Sequence, residues 1–183
     1  MRLEDTRRSA HMLKRLKRRL QDMKTVFALC RAAETHALAD GQEQPGSEHF
    51  LLAALDLPEG SARRAFARAG IEPEVLKPAI SQQYLDALGE AGLHPGAAAA
   101  VLGVPDPLQR KRIPPRAKSS AIGLLERLSS REGLPRNTVL SGALIIASIA
   151  RERHSVAARA LRAARIDSGK LAEAALAEVA VSK

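Results

Sequence analysis

Glu48 and His49, in the stretch "GSEHFLLAAL" (46–55), set a carboxylate beside an imidazole just ahead of an apolar run. Three roles are open to such a pair: acid–base catalysis, recognition of a ligand, or the opening turn of a helix. Catalysis requires a nucleophile, a base and oxyanion donors that converge. Neither Ser47 nor Cys30 has a His and an acid at a recognisable spacing. His11, His36, His94 and His154 are scattered, with no H-x-x-x-H or C-x-x-C pattern to hold a metal. The expectation is a protein that is not an enzyme and uses no metal or cofactor. The local reading makes Ser47 the N-cap of a helix over 48–56, Glu48 an anion favoured in its first turn, and His49 a packed or hydrogen-bonded neighbour. Cys30 reads as a small core residue.

The second group with chemical potential is basic. The net charge is +9, and it is unevenly spread. Residues 1–24 carry +6 and the stretch "RKRIPPRAK" (110–118) carries +5, so the rest of the chain is at −2. Arg15, Arg18 and Arg19 in the first segment, and Arg110, Lys111 and Arg112 in the second, are candidate contacts for a polyanion. Such contacts would be sequence-blind phosphate attraction. Aromatics are only 2%, too few to stack bases, and no helix-turn-helix pattern is present. The other reading of these runs is two solvated basic segments.

The elements that must position these groups are helices. Hydrophobic residues make up 45% of the 183, dominated by Ala, Leu, Ile and Val, and the apolar positions recur at helical spacing. Residues 7–24, "RRSAHMLKRLKRRLQDMK", place Met12, Leu13, Leu16 and Leu20 along one face of a basic amphipathic helix. A second helix is expected from about Thr25 to Ala39, stopped by Asp40-Gly41, and then helices over 48–56, 61–69 and from Pro73 onward. Between Gly89 and Ser120 lie five of the ten prolines and four glycines, a linker composition with room for one short helix at "GAAAAVLG". Helical patterning resumes at about Arg116. No apolar run reaches the roughly 18 residues of a membrane span, and the single cysteine fits a reducing, cytoplasmic setting.

The second half repeats the first. Setting "SARRAFARAGIEPEVLKPAI" (61–80) on "VAARALRAARIDSGKLAEAA" (156–175) gives seven identities in twenty, Ala62 with Ala157 and Leu76 with Leu171 among them. "SEHFLLAAL" likewise falls on "SGALIIASI", with Ser47 on Ser141. The expected fold is all-α: two pseudo-twofold-related four-helix repeats with an additional basic N-terminal helix. The segments are 1–24 for that helix, 25–88 for the first repeat, 89–118 for the linker and 119–183 for the second repeat.

The residues "PGSEHFLLAAL…EGSARRAFARAGIEPEVL" and "SVAARALRAARIDSGKL" resemble the Clp N-terminal domain, the double repeat at the front of ClpA- and ClpC-type AAA+ unfoldases. The likeness spans about residues 25–180. It implies a protein-binding module of the Clp protease system, concerned with protein quality control and stress response. Its partners would be protein substrates, degrons or a Clp unfoldase or protease component, and it would act as an adaptor or decoy. No G-x-x-x-x-G-K-[ST] motif occurs, so the resemblance is to a free-standing N domain. By the family pattern, Ser47, Glu48 and His49 fall at a pocket for phosphoarginine or substrate side chains, where a carboxylate can hold a guanidinium through paired hydrogen bonds. Two departures stand out: Gly142 and Ala143 replace the Glu-His pair in the second copy, and Arg165 replaces the glycine that ends the third helix. At most one of two pockets would remain. The reading from another class is a nucleic-acid-binding regulator acting through the basic segments.

Overall fold

The computed structural model describes residues 2–90, 92, 118–130 and 138–181, and among them all regular structure is helical. Helix α1 is a single 38-residue element, Arg2–Ala39. The basic helix over 1–24 and the helix expected from Thr25 are therefore one. The boundary between them is a change of composition only. No Gly or Pro occurs before Gly41, so nothing in the covalent chain interrupts the hydrogen-bond ladder. The helix ends where expected: Gly41 takes the left-handed conformation (φ 69°), and the Gln42 N–H donates back to the Ala37 carbonyl at 2.7 Å.

Seven further α-helices follow among the described residues: α2 (Ser47–Asp56), α3 (Ser61–Ala69), α4 (Leu76–Glu90) after a 3-10 turn at Pro73–Val75, α5 (Ser119–Ser130), α6 (Gly142–Ile149), α7 (Val156–Ala163) and α8 (Ser168–Val181). The short helix expected at "GAAAAVLG" and most of the linker lie outside the described residues.

The order α2–α3–α4 recurs as α6–α7–α8, and local chemistry recurs with it. Gly70 ends α3 in the left-handed region (φ 72°), with the Ile71 N–H donating to the Phe66 carbonyl at 3.0 Å. At the matching end of α7, Arg165 adopts φ 56°, and the Ile166 N–H reaches the Leu161 carbonyl at 2.9 Å. The same stop is thus built in the second half without its glycine.

Packing crosses between the halves. Helix α3 of the first half lies against α8 of the second, α7 of the second lies against α4 of the first, and α2 meets α6 between them. One core results, in which Leu29, Phe50, Leu51, Phe66 and Ile80 share burial with Leu124, Ile145, Ile146, Leu161 and Leu171. Charges reinforce the crossing. Glu178 on α8 is buried and accepts from Arg64 Nε at 3.0 Å and from Arg68 Nη2 at 2.7 Å, both on α3. These guanidinium groups, Arg68 first, hold its carboxyl below its ordinary value.

Candidate functional site

The N-terminus of α2 holds the three residues singled out by sequence, and all three are buried: Ser47 at 0% exposure, Glu48 at 1% and His49 at 0%. The cap differs from the expected one. Gly46 is the N-cap, in extended conformation, and Ser47 is the first helical residue. His49 supplies the capping bond, its Nδ1 accepting from the Gly46 N–H at 2.9 Å. The Glu48 carboxylate folds back over Gly46, where an added Cβ would force it to shift.

Groups from four parts of the chain surround the Glu48 carboxylate. Tyr84, from α4, donates its hydroxyl to Oε1 at 2.5 Å. Lys118, just before α5, brings Nζ to 3.7 Å from the same oxygen, and also donates to Tyr84 Oη at 3.2 Å and to Gln42 Oε1 at 3.0 Å. The lysine is anchored by its own N–H on the Pro45 carbonyl, 3.0 Å away, and the Ser47 N–H donates to Ser120 Oγ at 3.3 Å. The His49 ring stacks near Tyr84, and its Nε2 points toward Asp40 Oδ2 at 3.5 Å.

This environment sets the protonation states. Burial pushes His49 below its ordinary value, outweighing the opposing pull of Glu48 and Asp40. The ring is therefore neutral at pH 7; with Nδ1 accepting, its proton sits on Nε2. Burial, and then donation to Glu48, push the Tyr84 hydroxyl well up, so it remains a donor. Three buried polar atoms of the cluster have no hydrogen-bond partner among the described residues: Ser47 Oγ, Glu48 Oε2 and His49 Nε2. A carboxylate with one satisfied and one open oxygen, beside an open hydroxyl, is an acceptor set suited to a planar donor fork.

The matching position of the second half is built differently. Gly142 opens α6, with Ser141 as its N-cap. A Cβ on Gly142 would stand 2.8 Å from the Ala54 carbonyl oxygen and 3.0 Å from Ala62 Cβ. Glu59 of the first half takes over the anionic role there: its carboxylate accepts from the Gly142 N–H at 2.6 Å and from the Ser61 N–H at 2.7 Å. Ser61 Oγ accepts in turn from the Ala143 N–H. Sequence reading found the missing carboxylate at 142 but not its replacement at Glu59, which lies 83 residues away and has no motif of its own.

The basic candidates do not gather at this site. Arg19 is exposed and Arg18 half-buried on α1, while the Arg15 side chain and all of Arg110, Lys111 and Arg112 lie outside the described residues. Cys30 packs against the core, and its thiol is pushed up by burial and by Glu34, as befits an unreactive packing residue. No group of three His, Cys, Asp or Glu able to hold a metal ion occurs among the described residues, and no described helix is long and apolar enough to cross a membrane.

An all-helical double repeat with a buried Glu at the α2 N-terminus defines a class. The family model of the Clp repeat (R) N-terminal domain matches residues 24–99, which supports reading this segment as a Clp N-terminal domain. The match points to a protein-interaction module of a Clp system. No curated protein and no solved structure matches the chain.

Proposed function

We propose that the protein captures proteins or degrons for, or away from, a Clp unfoldase, as an adaptor or decoy, and that Glu48 is the centre of its one ligand site. Residues 119–183 then act as a degenerate second Clp repeat that supplies scaffold rather than a second pocket. The observation that carries the site is Glu48 Oε2, buried and without a partner beside the equally open Ser47 Oγ. A guanidinium could engage both carboxylate oxygens. Phosphoarginine is the ligand that best combines this fork with an anion, and the cation at Lys118, with the positive end of the α2 dipole, suits its phosphate. Entry requires Lys118 to withdraw from the carboxylate, a shift open to a flexible side chain that is itself 32% exposed.

Calorimetric titration with phosphoarginine and with an arginine-phosphorylated protein tests this reading. The expected result is one site per chain, weakened at least several-fold by Glu48→Gln. Two equivalent sites, or binding indifferent to residue 48, would overturn it. A second reading, sequence-blind polyanion binding, has the exposed Lys17, Arg19 and Lys24 of α1 in its favour. Affinity for duplex DNA would then fall by about 0.9 log units per log unit of salt for each phosphate neutralised.

A further inference from the structure

Helix α1 has two faces, and the body of the protein uses one. Thr25, Leu29, Ala33 and Ala37 are buried, and α1 packs on α2. On the opposite face Met12 (71% exposed), Leu16 (56%), Leu20 (50%), Met23 (54%) and Phe27 (70%) form a row in water. From Leu16 the spacing is four, three, four, the alternation of a coiled-coil seam. At 100° per residue the row is only about 80° wide, and it runs about 22 Å along the helix. That is narrower than the apolar face of a helix that sinks into a core or a lipid surface, which spans about 100° or more.

The flanks of the seam carry one sign of charge. With Leu20 and Phe27 at the first core position (a) and Leu16 and Met23 at the second (d), Lys17, Lys24 and Arg31 hold one flank and Arg19 stands on the other. All four are exposed. A second copy of this helix fits poorly against such flanks. In a parallel pair Arg19 faces Lys24 of the other copy, and in an antiparallel pair Lys17, Lys24 and Arg31 face one another. A polyanion such as nucleic acid would satisfy the cations but leave the apolar row in water.

We propose that this face of α1 docks a partner protein through an amphipathic helix with an apolar seam and acidic flanks, forming a two-stranded coiled coil. The apolar row supplies the buried seam, and the four cations select the sign of the partner's flanking residues. Because α1 is already helical and anchored at its C-terminal half, the cost of helix nucleation falls on the partner strand alone. This surface is separate from the Glu48 cluster, and the proposal stands whether or not that cluster binds a ligand.

The test uses the full chain and two synthetic peptides of about three heptads, with Leu at both core positions and either Glu or Lys on all flanks. Binding is read by calorimetry beside mixed-sequence duplex DNA and anionic phospholipid vesicles, with sedimentation of the chain alone. The expected result is a monomeric chain that binds one Glu-flanked peptide at least tenfold more tightly than the Lys-flanked one. Leu16→Ser with Leu20→Ser should weaken it at least tenfold while leaving the melting curve unchanged, since both side chains are half-exposed or more. Lys17→Glu with Lys24→Glu should abolish the preference between the two peptides, since two cations then stand against two anions. Equal binding of the two peptides by the unaltered chain, indifference to the Leu substitutions, tighter binding of DNA or vesicles than of the Glu-flanked peptide, or self-association lost in the Leu variant would each overturn the proposal.

Discussion

Glu48 illustrates how burial changes what a residue can be expected to do. Sequence places it in a first turn, where the macrodipole alone is worth about 0.3–1 kcal/mol. The structure adds a buried hydrogen bond from Tyr84 and a lysine at 3.7 Å. A hydrogen bond to a charged group contributes about 1.5–3 kcal/mol, so Tyr84→Phe should lower stability by roughly that much in denaturant titration. An unchanged midpoint would mean that the Tyr84 bond contributes nothing. His49 makes a second prediction. Its folded pKa lies below the ordinary 6.5, so the unfolded chain takes up the proton first. The stability due to its neutral state is full above pH 6.5 and is lost as pH falls through 6.5 toward the depressed folded value. Melting temperature should therefore begin to drop below about pH 6.5, and His49→Gln should flatten that part of the profile while leaving the acid limb. The residue types at this site were legible in "GSEHF", and their partners were not. Tyr84 and Lys118 lie 36 and 70 positions downstream of Glu48 and carry no spacing signal that leads to it.

At the scale of elements, helix stops proved more legible than helix continuity. Asp40-Gly41 and Gly70 end their helices as expected because glycine relieves the strain of positive φ. The start of α2 was displaced by one residue. Ser47 is the usual cap type, but the Glu48 carboxylate folds over position 46, where a Cβ would force it to shift, and the ring of His49 takes over the capping bond. The continuity of α1 was missed because a charge boundary resembles a domain boundary in composition while exerting no force on the backbone. Arg165 gives a prediction at this level. A non-glycine residue in the left-handed region costs about 1–2 kcal/mol, and glycine returns about 0.4–1 kcal/mol of this through the entropy of the unfolded chain. Arg165 is exposed, with no packing to lose. Arg165→Gly should thus stabilise by about 0.5–1 kcal/mol and raise Tm by about 1–4 °C. A lower Tm would show that the Arg165 side chain makes a contribution of its own.

For the whole molecule, the repeat visible in sequence turns out to be a repeat of structure but not of independence. Two copies could each have closed on themselves and touched at a surface. The structure instead exchanges the packing: α3 rests on α8 and α7 on α4, while Glu59 caps the first turn of α6 and Glu178 receives Arg64 and Arg68 of α3. Cut after Glu90, the first half would expose Phe66, Leu76 and Ile80, each fully buried here. At about 1.5–3 kcal/mol per large apolar side chain, that exposure is comparable with the whole stability of a domain, about 5–15 kcal/mol. Residues 1–90 and 118–183 made separately should therefore each show weak, non-cooperative thermal unfolding, and mixing them should restore a cooperative transition. Helix α1 will keep some helicity in the first fragment, so the diagnostic is the sharpness of melting and not the amount of helix. Glu178→Ala, placed in the second fragment, should weaken reassociation, because α3 loses both of its charged contacts there. The same linkage gives the intact protein an acid limit: the carboxyl of Glu178 is held below 4.5, so its stabilising share is present above that pH and is lost as pH falls beneath it. A first fragment that melts cooperatively alone would mean that the crossed helices are an ornament on two self-sufficient domains, and that the second half is retained for something other than completing the core around Glu48.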